Sequence, residues 1–216
     1  MSSKIALFFR ESWLLMISSV FFGGLLAITN TAWAPKIAQN EINKFNNLAR
    51  LLLPTAEKFE PLQEKITLEL KGGKSVMDFG GGKSIEADVR KGLDASGNCV
   101  GWAFVCEGSG FADKIKLVVA ADAQFKTLLG FGVLNSNETP GFGDKINIKD
   151  GFYQAQFKGI PAASLTLSKF GDDKKIDSEI IAITGATVTS QSVLNILNQF
   201  VEPIHKQLTE NNLIHP

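Results

Sequence analysis

Cysteine and histidine are scarce: two of each occur in 216 residues. No Cys-x-x-Cys occurs, and the thiols do not make a metal site. Cys99 and Cys106 flank Val-Gly-Trp-Ala-Phe-Val, a run that reads as a strand. Their odd separation predicts opposite faces of that strand, roughly 23 Å apart if extended, too far for a disulfide without a fold-back. Both read as small buried side chains. His205 and His215 fall in or after the last helical pattern, outside any ligand cluster, and read as solvated. An excess of charge is missing too. Lys plus Arg equals Asp plus Glu at 22 each, so no global basic field points to nucleic acid. Low-complexity runs are absent. Lys83 and Ser84 follow Gly80-Gly81-Gly82, but no Gly-Lys-Ser/Thr nucleotide motif with a preceding buried strand surrounds it. That triple glycine, like Gly72-Gly73, reads as a turn.

Charge is also missing locally. Leu14 to Ala32 contains none, and Trp13 and Trp33 bracket it. About 20 residues at about 1.5 Å each give about 30 Å, the thickness of a bilayer core. With Lys4 and Arg10 before it, this predicts a single membrane helix with its basic tip in the cytoplasm and the rest of the chain outside. Ala32-Trp33-Ala34 resembles a signal-peptide cleavage site. Pro35 just after it and the length of the apolar run favour a retained anchor.

What the chain has in quantity is apolar residues, 44%, and 20 glycines. Together they predict a packed core and many short strands joined by turns. Pro35 is expected to open a polar helical segment in which Ala38, Ile42, Phe45, Leu48, Leu52 and Leu53 keep helical spacing up to Pro54. Strands are predicted at 65–70, 85–90, 100–106, 115–121, 130–134 and 180–183. Residues 152–157 read as helix or strand, and Leu165, Leu167 and Phe170 alternate weakly. The fold class expected is α+β: a twisted, mostly antiparallel sheet with packed helices, behind one N-terminal transmembrane helix. The domains expected are 1–34 for tip and anchor, 35–210 for an extracytoplasmic domain, and 211–216 for a frayed tail.

Two motifs carry the chemistry. Ile180 to Ile183 predicts a strand that ends in Thr184-Gly185-Ala186-Thr187-Val188-Thr189-Ser190. A helical pattern comes next, through Val193, Leu194, Ile196, Leu197, Phe200, Val201 and Ile204. A small-residue turn feeding a helix N-terminus gathers free N–H groups and the positive end of the helix dipole, which suits a phosphate. Ordinary capping by Thr or Ser is the plainer alternative. The other motif is Glu138-Thr139-Pro140-Gly141-Phe142-Gly143, where Pro140-Gly141 is a strong turn signal.

The first motif resembles the flavinylation sequence of the FMN-binding domain family, and the second resembles that family's Glu-Thr-Pro-Gly-x-Gly signature. Gly108-Ser109-Gly110-Phe111 fits the same order. The resemblance implies that Thr187 bears FMN through a phosphoester, installed by a Mg2+-dependent flavin transferase that uses FAD. Thr184, Gly185, Ala186 and Thr189 would shape the turn, and backbone N–H groups of Ala186 to Thr189 would hold the phosphate. Glu138, Thr139, Pro140 and Gly141 would lie against the isoalloxazine ring, with Glu138 and Thr139 tuning its potential. No residue is implied to be catalytic. The family usually has an acid six positions before the modified Thr; this chain has Ile181 there, and its nearest acid is Glu179. In size and layout the chain resembles the G-subunit family of Rnf electron-transport complexes. The homologous C subunits of sodium-translocating NADH:quinone reductases are usually longer. The resemblance implies an electron relay among other membrane subunits of an ion-translocating ferredoxin:NAD oxidoreductase complex. Two readings stay open beside it: a flavin-bearing domain that feeds another periplasmic reductase, and an anchored binding module without flavin.

Overall fold

A computed structural model describes residues 2–62, 66–69 and 84–214. The turns expected at Gly72-Gly73 and Gly80-Gly81-Gly82, and His215, lie outside the described residues. The chain divides into two compact units, Met1–Asn43 and Lys44–Pro216.

The first unit is helical. Helix α1 runs over Ser2–Leu52, 51 residues, with Pro35 inside it. The polar helical segment expected to open at Pro35 is thus continuous with the apolar run before it. Proline removes the one N–H that the Thr31 carbonyl would take, and the helix continues through it. Among the described residues this is the one helix long and apolar enough to cross a membrane. Its apolar side chains are uncovered: Leu15, Val20, Leu26 and Ile28 all stand exposed. Hydroxyls within the apolar run are satisfied internally. The hydroxyls of Ser18, Thr29 and Thr31 donate to the carbonyls of Leu14, Leu25 and Ala27, which removes the cost of placing them in an apolar surrounding.

The second unit is a sheet covered on both faces. In chain order its strands are β1 (Lys58–Pro61), β2 (Ile66–Glu69), β3 (Ser84–Ala87), β4 (Val89–Leu93), β5 (Cys99–Ser109), β6 (Lys114–Asp122), β7 (Thr127–Asn135), β8 (Ile160–Pro161), β9 (Thr166–Ser168) and β10 (Glu179–Ile181). A six-stranded sheet has the order β1-β4-β5-β6-β7-β8. Every pairing in it is antiparallel. β2 and β3 form an antiparallel pair, and β9 and β10 a short parallel one. The structure is α+β, as its sequence predicts.

Among the described residues two α-helices come after the long first one, α2 (Phe152–Ala155) and α3 (Thr187–Glu210), besides a 3-10 turn at Gly143–Asn147. One sheet face packs Trp102, Phe104, Leu117 and Val119 against Val193, Leu197, Phe200, Val201 and Ile204 of α3. The other packs Ala103, Val118 and Ala120 against Phe45 and Ala49 of the last turns of α1 and Leu53 just after it. Cover on both faces explains why β6 reads as a nearly unbroken apolar run rather than an alternation. Each large apolar side chain buried on α3 contributes about 1.5–3 kcal/mol, so packing rather than intrinsic propensity holds that helix.

Three expectations change. A β-bulge shifts the β4–β5 register between Gly92 and Leu93, pairing Gly92 with Gly101 but Leu93 with Cys99. The extra residue reverses the alternation, so Cys99 and Cys106 belong to the same core cluster instead of opposite faces. Cys106 is buried and Cys99 only half-buried, and both are free thiols. Burial pushes the Cys106 thiol well above its ordinary pKa. His205 is half-buried, its ring stacked on Phe125 at 5.6 Å between centroids. The tail does not fray at once. Asn212 takes φ 53°, Leu213 N–H donates to Leu208 O, and Asn212 N–H donates to Thr209 O. That pair of bonds is a Schellman ending, and it folds Ile214 back into the core.

Candidate functional site

Strand β10 and the residues just after it are built for rigidity. Ile180, Ile181, Ala182 and Ile183 are all buried. Beyond its pairing with β9, β10 is held by a side chain. The Gln156 amide accepts from Ile181 N–H at 2.7 Å and donates to Ile181 O at 3.1 Å. One glutamine thus pairs with the strand as a second strand would. Ile181, which stands where the family usually has an acid, is 8% exposed.

The chain then reverses. Ala186 N–H donates to Ile183 O at 2.9 Å and Gly185 has φ 82°, the pattern of a type II turn with glycine at its third position. A side chain at Gly185 would be strained by that φ and would also meet the Phe142 ring at 3.1 Å. Ser190 locks the turn from inside. Its hydroxyl accepts from Ile183 N–H at 3.0 Å and donates to Ala186 O at 2.9 Å. Tyr153 donates to Ser190 O at 2.8 Å, and burial pushes the Tyr153 hydroxyl well above its ordinary pKa.

Helix α3 starts at Thr187 with Ala186 as N-cap, no side-chain cap and no acid in its first turn. The first bond of its ladder runs from Ser190 N–H to Ala186 O. The N–H groups of Thr187, Val188 and Thr189 therefore have no acceptor within the helix; the first turn holds no acid of its own, and the carboxylate beside the positive dipole end is that of Glu138, bonded to the Thr189 hydroxyl. Ala186 N–H belongs to the turn, so the donors aligned for an anion are those of 187 to 189.

The three threonines differ. Thr187 is half-buried at the helix start, and Thr184 is exposed in the turn. Thr189 is 2% exposed and its hydroxyl donates to Glu138 Oε2 at 2.6 Å. It neither caps the helix nor stands free for a ligand.

Glu138 is buried, 5% exposed. Its Oε1 accepts from the N–H groups of Phe111 at 2.9 Å and Ala112 at 3.1 Å. The turn after it forms as the motif predicts. Phe142 N–H donates to Thr139 O at 3.2 Å and Gly141 has φ 78°, a type II turn with Pro140 at its second position.

These pieces enclose a cavity of about 170 Å³ lined by Phe111, Thr139, Phe142, Gly143, Gly185, Ala186, Val188 and Thr189. The structure so brings together Thr139, Gly185, Ala186 and Thr189, with Thr187 between two lining residues. Glu138, Pro140, Gly141 and Thr184 do not line it; Glu138 lies behind the wall. Phe111, Phe142, Gly143 and Val188 line it unpredicted. The signal for all four was in the motifs themselves, at the residue between Thr187 and Thr189, at the variable position and second glycine of Glu-Thr-Pro-Gly-x-Gly, and at the aromatic of Gly-Ser-Gly-Phe. A larger cleft, about 350 Å³, lies away from both motifs and includes Leu48, Phe131, Lys149 and Gln154.

The class of protein defined by this fold and site has a name. The family model described as FMN-binding domain matches residues 110–202, from the loop held by Glu138 through most of α3. The G subunit of the ion-translocating oxidoreductase complex of Methanosarcina acetivorans is 30% identical over 89% of this chain and 92% of its own length. The G subunit of the Na(+)-translocating ferredoxin:NAD(+) oxidoreductase complex of Acetobacterium woodii is 30% identical over 90% of each chain. The chain belongs to the G-subunit family of ion-translocating oxidoreductase complexes and carries its FMN-binding domain. The crystal structure of Shewanella oneidensis NqrC has the same fold, with a TM-score of 0.57, 20% identity, and coverage of 78% of this chain and 99% of that one.

Proposed function

We propose that the chain is a membrane-anchored electron relay whose FMN is held by a phosphoester to Thr187, inside an ion-translocating ferredoxin:NAD oxidoreductase complex. The observation that carries this reading is the setting of Thr187. It is half-buried at the first position of α3, beside N–H groups with no helical acceptor and beside the cavity. The burial of Thr189 and its bond to Glu138 favour Thr187 over it as the attachment point.

The residues present fit the group. The N–H groups of 187 to 189 would take the phosphate charge. Gly185 leaves open the space beside Phe142. Phe111, Phe142 and Val188 supply apolar surface for a flat ring, and Thr139 supplies a polar edge. Bound FMN would supply one- and two-electron transfer; the chain supplies attachment, orientation and a partly dry wall. Attachment is itself a balanced exchange. The Thr187 oxygen would form a bond to the flavin-side phosphorus of FAD as the pyrophosphate bond breaks, AMP would leave, and the hydroxyl proton would go to a base of the flavin transferase.

The anchor is the apolar part of α1 up to residue 34. Lys4 and Arg10 lie on the cytoplasmic side, and residues 35–210 lie outside as the flavin domain. The other membrane subunits of the complex are its partners. In cells that contain the transferase, the denatured wild-type band fluoresces in a gel and Thr187→Val does not. Fluorescence that persists in Thr187→Val removes this reading.

A further inference from the structure

We infer that Glu138 is a positioning residue that fastens three separate segments around the cavity through one carboxylate, and that it does not itself face the ring. Oε1 takes two N–H groups of the 110–113 loop, at Phe111 and Ala112. Oε2 takes the Thr189 hydroxyl in the first turn of α3. The backbone of Glu138 leads directly into the turn that carries Phe142. Hydrogen bonds to a carboxylate are shorter and stronger than neutral ones, and burial strengthens them further.

Two glycines record how closely this clasp is fitted. A Cβ built at Gly110 would lie 2.3 Å from Glu138 Oε1. A Cβ at Gly143 would lie 2.7 Å from Thr189 Oγ1 and 2.9 Å from Glu138 Oε2. A side chain at Gly143 presses on both ends of the Thr189–Glu138 bond, whereas one at Gly110 also meets Asp113 O at 2.5 Å and Ile115 Cδ1 at 2.8 Å and so shifts the whole loop. The fastening matters because the cavity rim is exposed. Phe111 is 60% and Phe142 53% exposed, so little packing of their own holds the two rings in place. Position comes to them through the backbone, and Glu138 ties that backbone to the helix bearing Thr187. The part concerning flavin rests on the function proposed above.

The test uses the full chain in detergent, in two arms. The first arm needs no flavin. Amide hydrogen exchange at Phe111 and Ala112 is followed in the chain made without transferase. Glu138→Ala speeds it at least tenfold. Glu138→Gln speeds it less, because its amide oxygen still accepts and its nitrogen can donate to Thr189. The second arm uses chain carrying the flavin. Glu138→Ala and Thr189→Val keep the cofactor but raise its quenching by iodide and move its midpoint potential toward that of free FMN, whereas Thr189→Ser restores both to wild type. Should Glu138→Ala fail to fold, Glu138→Gln and Thr189→Val carry the same comparison. Unchanged exchange in a variant that still melts cooperatively overturns the clasp. Faster exchange with unchanged quenching and potential overturns its role in positioning. If wild-type chain takes no covalent flavin, the proposed function fails, and the exchange arm still decides the clasp.

Discussion

Ser190 does the most structural work of any single hydroxyl at the site. It is fully buried, and its one oxygen serves Ile183 N–H and Ala186 O together. Ser190→Ala leaves the Ile183 N–H buried without a partner, which costs about 1–3 kcal/mol. A lower melting temperature with an unaltered fold in circular dichroism is the expected result; an unchanged melting temperature would mean that the turn relaxes at no cost. From sequence alone, Ser190 was one of several hydroxyls in a row. The motif marked the stretch but could not rank Thr187, Thr189 and Ser190 by burial, because burial depends on which helical face meets the sheet. Glu138 shows the same limit. A carboxylate in a signature loop reads as a cofactor contact, and only its three donors, drawn from segments distant in sequence, reveal an internal clasp.

At the scale of elements, β10 is held as much by a side chain as by a strand. Gln156→Leu keeps roughly the volume of the side chain but strands both polar groups of Ile181. The expected loss is about 2 kcal/mol or more, because two buried backbone groups lose partners together. Accelerated exchange at the Ile181 amide should accompany it. Loss of stability without faster exchange there would place the effect elsewhere. The elements legible in sequence were those with a strong period or a long apolar run. Helix α3 keeps to its 3.6-residue pattern, and β5, β6 and β7 appear where alternation or unbroken apolarity predicted strands. The short strands β1 and β8 were not read, since four and two residues carry too little pattern. The alternation rule failed at Cys99 because a bulge, set by pairing between strands, inserts a residue without any local mark.

At the scale of the whole molecule, a charge-free apolar run precedes a sheet domain with an FMN-binding family match. An export-dependent reporter fused after Phe45 should be active; activity of a cytoplasmic reporter at the same place would put the flavin domain on the wrong side. The fold class and the order of motifs were legible because they rest on composition, turn residues and periodicity. The cavity was not, since it forms only where the 110–113 loop, the Pro140-Gly141 turn and the start of α3 meet. Attachment of FMN at Thr187 is the central claim, and the intact mass of the purified full-length chain tests it most directly. Chain from transferase-competent cells should carry the mass of one FMN less one water. Thr187→Val should lack the increment, and Thr184→Val should keep it. Wild-type chain at its bare polypeptide mass, or an increment retained by Thr187→Val, would contradict it.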